Sequence, residues 1–342
     1  MDGEGICAGE CMVETKGITD DMSNNILILS CGTRDLLVRY FKRADYERVI
    51  GADCSELAPA LYEADKYYLI PRMKEEGYFD AILEICRKEG ITAILPLQED
   101  ELNLISENRE LFEQEGIRTI VSPVETLQIC RDKYCFFEHM TEHGIPVLNS
   151  YIDLAKFEKA YEAGKIGFPV FVKPVRGAGS VGVMKVSCME LLKALFAYSE
   201  EPLLIQEFCN GREFGIDVYV DLVSGEVVDI FAKEKLRMRA GETEKSVTSN
   251  DPALKEFVYR AASTLKLSGP VDMDVFEKDG IFYLSEINPR FGGGFPHAYA
   301  CGVDTPSYIL QNLQGIANES HLQEKREEIY VLKYSDILCI DR

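Results

Sequence analysis

The chain has 342 residues, with 37 basic against 58 acidic side chains and a formal charge of −21. That balance excludes a nucleic-acid partner needing a broad basic surface, and no apolar run approaches the roughly 18 residues that a membrane span requires. An apolar content of 46% with 28% charged residues is that of a globular protein of two or three domains.

Residues 1–23 are polar and acidic and read as a disordered tail. Cys7 and Cys11 form a lone C-x3-C spacing without a second pair, so no metal site is expected there. The eleven cysteines are odd in number and scattered, mostly inside apolar segments; they read as reduced thiols of a cytoplasmic protein.

Residues 24–123 alternate strand and helix. Ile26–Ser30, Val49–Asp53, Tyr67–Ile70, Ile91–Pro96 and Ile117–Val121 read as strands. Arg34–Lys42, Tyr78–Lys88 and Glu101–Gln114 read as helices. Alternation of this kind predicts a doubly wound α/β domain with a parallel sheet. Its first turn, Cys31-Gly32-Thr33, holds a single glycine, so a dinucleotide fingerprint is absent; Asp53 reads as a turn cap or a substrate-facing residue.

Val124–His143 reads as one helix, with Lys133 in its middle, and Phe157–Gly164 as a short amphipathic one. Lys173 then stands inside the apolar strand Gly167–Pro174, where a buried cation needs an anion. The loop after it, Gly177-Ala178-Gly179-Ser180-Val181-Gly182, matches G-x-G-x-x-G literally. A strand, Val183–Val186, follows instead of a helix, so the loop reads as a hairpin whose backbone N–H groups can fold over phosphates.

Met189–Ser199 is a predicted helix, Leu203–Phe208 a strand and Cys209-Asn210-Gly211 a turn. Arg212–Leu222 and Val227–Lys235 follow as strands. Lys235, Arg237 and Arg239 alternate, which on extended chain places three cations on one face and suggests an anion site. Pro252–Leu267 reads as a helix, Ser307–Gln314 as another. Residues 318–329 read as a linker, and Tyr330–Tyr334 with Ile337–Ile340 as a terminal hairpin.

The richest stretch runs from Asp272 to Gly294. Val271–Phe276 and Ile281–Ile287 read as paired strands around a turn. Asp272, Asp274, Glu286, Asn288 and Arg290 are all even-numbered, so a register pairing even with even gathers them on one face. A three-residue loop, Lys278-Asp279-Gly280, with a bulge at Gly280, is the expected way to achieve this. Clustered carboxylates repel unless a cation sits between them, and Mg²⁺ with nucleotide phosphates suits Asp274, Glu286 and Asn288. Arg290 offers a fork for a phosphate or carboxylate.

Taken in order, F-V-K-P-V-R-G-A-G-S-V-G and, over a hundred residues later, E-I-N-P-R make the chain resemble the ATP-grasp superfamily across roughly residues 24–318. The likeness is strongest to the synthetase domains of the carbamoyl phosphate synthetase large subunit. The resemblance implies an α/β fold with a pre-ATP-grasp domain (24–123), a linker helix and lid subdomain (124–208), a C-terminal subdomain with the metal site (209–318) and an extension (319–342). It implies ATP as cosubstrate and Mg²⁺, with Mn²⁺ as a substitute. By resemblance, Lys133 and Lys173 contact phosphates, Gly177 to Gly182 form the lid, and Gln206, Glu207, Phe208 and Cys209 hold adenine. Glu213 takes the ribose, Asp274, Glu286 and Asn288 bind metal, and Arg290 with Lys173 serves catalysis. Asp274 departs from the glutamine of the carbamoyl phosphate branch. The substrate pocket is expected to draw on Lys235, Arg237, Arg239, Gly292, Gly293, Gly294 and His297.

One ATP-grasp unit without a glutaminase or biotin-carrier segment implies a stand-alone ligase. It would phosphorylate a small carboxylate, such as an amino acid, to an acyl phosphate and pass it to an amine, releasing ADP. A homodimer is common in the superfamily. The alternatives are a bicarbonate- or carbamate-phosphorylating enzyme and a non-catalytic ATP-binding module.

Overall fold

The computed structural model describes residues 24–177, 181–239, 241–323, 325 and 328–340. The expected tail with Cys7 and Cys11, and the lid residues Ala178, Gly179 and Ser180, lie outside the described residues.

The first unit is β1 (Asn25–Leu29), α1 (Asp35–Arg43), β2 (Arg48–Asp53), β3 (Lys66–Leu69), α2 (Tyr78–Glu89), β4 (Ala93–Pro96), α3 (Glu99–Glu107), α4 (Arg109–Gln114) and β5 (Arg118–Thr119). Its sheet has the order β3-β2-β1-β4-β5 and is parallel throughout. β1 reads N-I-L-I-L and every residue is buried, as a central parallel strand covered on both faces demands. The single helix expected over 101–114 is two: it breaks at Asn108, whose side chain bonds back to Leu104 O.

A second break matters more. The helix expected over 124–143 is α5 (Val124–Arg131) followed by α6 (Lys133–Glu142). Asp132 sits between them in extended conformation and accepts from the N–H groups of Tyr134 and Cys135. Capping of this kind begins a new helix, so Lys133 is its first residue and not a mid-helix one.

The second sheet comprises β6 (Ser150–Tyr151), β7 (Val170–Pro174), β8 (Met184–Val186) and β9 (Leu203–Glu207), in the order β6-β9-β7-β8, with α7 (Leu154–Glu162) and α8 (Met189–Tyr198) beside it. The third is antiparallel, β14-β13-β10-β11-β12-β15. It is built from β10 (Arg212–Val220), β11 (Val227–Arg239), β12 (Glu242–Ser249), β13 (Gly269–Lys278), β14 (Ile281–Asn288) and β15 (Tyr330–Leu332). α9 (Pro252–Ala262), α10 (Phe295–Ala300) and α11 (Thr305–Leu313) complete the chain. The terminal hairpin is not formed among the described residues: Tyr330–Leu332 pairs with β12 instead, extending the third sheet.

One face of the third sheet packs against α9 through Leu254, Phe257, Val258 and Ala261. The other shares a core with the first unit, in which Phe41 and Tyr40 meet Phe291, Phe295 and Phe231. Phe41 and Phe291 lie edge to face with centroids 5.9 Å apart. This packing sets the carboxyl ends of β1 and β4 against the glycine loop after β14.

Candidate active site

Lys133, Lys173 and the β13–β14 hairpin line one cleft of about 400 Å³. The hairpin register explains the acidic face. Asp279 and Gly280 both have positive φ, so the turn is a two-residue one, and Lys278 pairs with Ile281. That register alone would split even from even. Ser285 is then left unpaired, and beyond it Asp274 faces Glu286 and Asp272 faces Asn288. The acidic residues do converge, but through a bulge at Ser285 and a tight Asp279-Gly280 turn, not through a three-residue loop with a bulge at Gly280.

Across the cleft stands Lys173, nearly buried on β7. It donates to Gln206 Oε1 at 2.9 Å, and Gln206 in turn donates to Ser150 Oγ at 3.2 Å. Burial lowers the pKa of Lys173, and the facing Glu286 opposes that shift. Lys133 Nζ donates to Gly177 O at 2.7 Å, while Arg176 bonds to Asp132 at 3.2 Å. The start of the glycine-rich loop is thus fastened to the first turn of α6. Val181 lines the cleft from the other side of that loop, and Gly182 follows it with φ +74.

Lys235 Nζ lies 2.5 Å from Asp274 Oδ1 and 2.8 Å from Glu213 Oε1. Burial works against its charge, but the two carboxylates more than offset that and raise its pKa. Burial likewise raises Asp274, with Lys235 opposing and Glu286 adding to the rise. Asn288 Nδ2 donates to Glu286 Oε1 at 3.2 Å. In this structure the Lys235 ammonium supplies positive charge to the acidic face and the Asn288 amide supplies an N–H donor. Among the described residues no group of three or more His, Cys, Asp or Glu is placed to hold a metal. Asp274, Glu286 and the Asn288 amide offer hard oxygen donors only, a set that suits a Mg²⁺ whose remaining ligands come from phosphates and water.

Several expected residues take other positions. Arg237 and Arg239 do not share a face with Lys235 in the cleft. Leu236 is bulged out of the β11–β12 ladder, so parity flips after Lys235 and Met238 lines the cleft instead. Arg237 and Arg239 are exposed and pair with Glu244. His297 does not line the cleft either. It is buried beneath β12, with Nδ1 2.7 Å from Ser246 Oγ and Nε2 3.2 Å from Thr248 Oγ1. Phe208 packs on Phe171 and under Lys185, while Glu207 and Cys209 line the cleft. Gly293 and Gly294 line it, and Gly292 lies buried below. A Cβ on Gly294 would come within 2.4 Å of Lys233 Cε, so the loop's close approach needs glycine.

The sequence reading missed Lys233, Arg34, Glu99 and Glu242 as cleft residues, while Asp272 lies on the acidic face as expected. Lys233 is fully buried and bonded to the equally buried Asp217, a pair whose partners stand on adjacent strands. Its alternation with Lys235 on β11 was the available signal. Arg290 bonds to Phe291 O at 2.9 Å and lies 3.6 Å from Asp272.

A parallel unit followed by two antiparallel sheets, with a lysine-lined cleft between them, defines the class of fold: it is the ATP-grasp fold. Residues 26–120 match the family "PylC-like, N-terminal domain", and residues 199–337 match "ATP-grasp in the biosynthetic pathway with Ter operon". The chain is 27% identical over 194 residues to the arginine-specific carbamoyl phosphate synthase large chain of Bacillus subtilis, covering 53% of this chain and 18% of that one. It is 31% identical over 187 residues to the D-alanine–D-alanine ligase of Ruminiclostridium cellulolyticum, covering 48% and 50%. The chain thus spans at most about half of either relative. The biotin carboxylase domain dimer of Hydrogenobacter thermophilus 2-oxoglutarate carboxylase, solved with MgADP and bicarbonate, superposes with a TM-score of 0.72 at 20% identity over 90% of this chain and 73% of that one.

Proposed function

We propose that the chain is an ATP-dependent carboxylate–amine ligase that uses ATP with Mg²⁺ or Mn²⁺. One observation carries this: two lysines from separate elements, Lys133 and Lys173, face the Asp274–Glu286–Asn288 face across one cleft, with Arg290 at its end. Phosphoryl transfer asks a protein for positioning and charge neutralisation, and this arrangement offers both. Lys173, held by Gln206, and Lys133, held at the head of α6, neutralise phosphate oxygens. Gly177 and Val181, from the two ends of the glycine-rich loop, line the cleft with them, while Glu207, Cys209 and Glu213 line the nucleoside end. Mg²⁺ on Asp274, Glu286 and Asn288 would neutralise charge shared between the phosphates. Arg290 orients the substrate carboxylate, whose oxygen attacks the γ-phosphorus, giving an acyl phosphate and ADP. An amine then displaces phosphate at the acyl carbon.

The curated relatives support this class, since one is a D-alanine–D-alanine ligase. The carbamoyl phosphate synthase match favours a second reading, in which bicarbonate is the phosphorylated acid. A cytoplasmic location and a homodimer belong to the same proposal. The test is ADP release from Mg-ATP across amino acids singly and in pairs, with bicarbonate as a separate arm and Glu286→Ala as the blank. Pair-dependent release that the variant loses supports the ligase; bicarbonate-dependent release supports the second reading; equal release from both proteins sinks both.

A further inference from the structure

Within the C-terminal extension, β15 ends beside the cleft. Lys333 follows it directly. Its Nζ donates to Gly293 O at 2.6 Å and to Glu242 Oε2 at 3.0 Å. From the opposite side comes Arg34, in the β1–α1 connection of the first unit, with Nη1 3.6 Å from the other oxygen of Glu242. Gly293 is wedged between them, since a Cβ there would lie 3.1 Å from both Arg34 Nη1 and Glu242 Cδ. Three distant parts of the chain therefore meet at one point of the glycine loop.

Their charges do not cancel. Arg34 and Lys333 share the single carboxylate of Glu242. The neighbouring pairs, Arg290 with Asp272 and Lys233 with Asp217, are each balanced internally. Among the described residues, one positive charge is left over at a place where Arg34, Glu242 and Gly293 all line the cleft. Arg34 is only partly exposed, so burial lowers its pKa; Glu242 opposes this and Arg290 adds to it. A guanidinium under that strain gains from a second carboxylate, which it can grip with two N–H groups.

We propose that Arg34 is the anion-recognising residue of the acceptor subsite and that the acceptor amine carries its own carboxylate, as an α-amino acid does and ammonia or an alkylamine does not. Glu242 faces the acceptor's ammonium group. Lys333 is a positioning residue: it ties Glu242 to the glycine loop from behind. The assignment rests on the ligase reading for the word acceptor, but the site itself is a matter of binding.

The test is therefore calorimetric, on the full chain with Mg²⁺ and a non-hydrolysable ATP analogue. The probes are the twenty amino acids, their carboxamides, and O-phosphoethanolamine as the alternative anion. At least one amino acid is expected to bind, with its carboxamide weaker by roughly 10- to 100-fold, the range for a charge-assisted contact. Arg34→Gln should erase that discrimination and Arg34→Lys restore part of it, with affinity for the ATP analogue unchanged in both. Lys333→Met should weaken the amino acid severalfold while keeping the preference for acid over amide. The proposal is overturned if no amino acid binds, if acid and amide bind alike, if O-phosphoethanolamine binds more tightly, or if Arg34→Gln still discriminates. Amino-acid binding without ADP release in any pair would leave the anion site standing and remove the ligase reading instead.

Discussion

At the scale of single residues, the cleft is defined by side chains whose partners are already fixed. Lys173 cannot swing away, because Gln206 holds its ammonium and Ser150 holds Gln206. Lys173→Met keeps the apolar stem and removes the charge, so it should cost roughly 10²-fold in kcat/KM for ATP turnover with little change in stability. Steady-state kinetics beside a thermal melt will separate the two effects. His297 has the opposite character. Burial, with Lys233 adding, holds its pKa down at about 4. A folded-state pKa below the unfolded one means that the unfolded chain binds the proton first as pH falls. Stability contributed by neutral His297 is therefore complete above the unfolded value and declines below it, until the folded pKa is reached near 4. The total is on the order of 3 kcal/mol. Denaturant melts should show wild type losing more stability than His297→Gln between about pH 6.5 and 4. Parallel curves for the two proteins would refute the assignment. Lys173 was legible in the sequence because a charge inside an apolar strand needs a partner, and the acidic face because strand parity gathers its residues; Lys133, on a helix, was singled out by the family resemblance. Arg34 and Glu242 were not, because they face water-like local sequence and gain meaning only when the first unit docks on the third sheet.

At the scale of elements, the sequence pattern predicted that the acidic residues of the β13–β14 hairpin converge but not how. The even-numbered face of the hairpin is real, yet it arises from a tight Asp279-Gly280 turn corrected by a bulge at Ser285. A bulge leaves little trace in composition, since Ser285 itself reads as an ordinary strand residue. The same blindness misplaced Arg237 and Arg239, which the bulge at Leu236 turns outward. Capping does leave a trace in the sequence: Asp132 before Lys133 is a regular N-cap, and it converts a mid-helix lysine into one aimed at the glycine-rich loop. Gly280 has φ +76, where a β-branched side chain is strained. Gly280→Val should lower stability by about 1–3 kcal/mol, whereas Gly280→Asn should cost much less. Equal losses in the two variants, measured by urea unfolding, would argue against the two-residue turn.

At the scale of the whole molecule, the site exists because a shared aromatic core holds the first unit against the third sheet. Phe41 and Tyr40 contribute from one side, Phe291 and Phe295 from the other. The glycine loop lies immediately after β14 and is gripped from three directions, by Lys233 below, Arg34 in front and Lys333 behind. The most direct test of the central claim, that a carboxylate is activated by phosphorylation in this cleft, follows an oxygen atom. A carboxylate that supports ADP release is supplied with ¹⁸O in its carboxyl group, and the released phosphate is weighed by mass spectrometry. Attack of the carboxylate on the γ-phosphorus predicts one ¹⁸O in each phosphate formed. Phosphate free of label, formed at the same rate as ADP, would mean that water is the attacking group and would contradict the account.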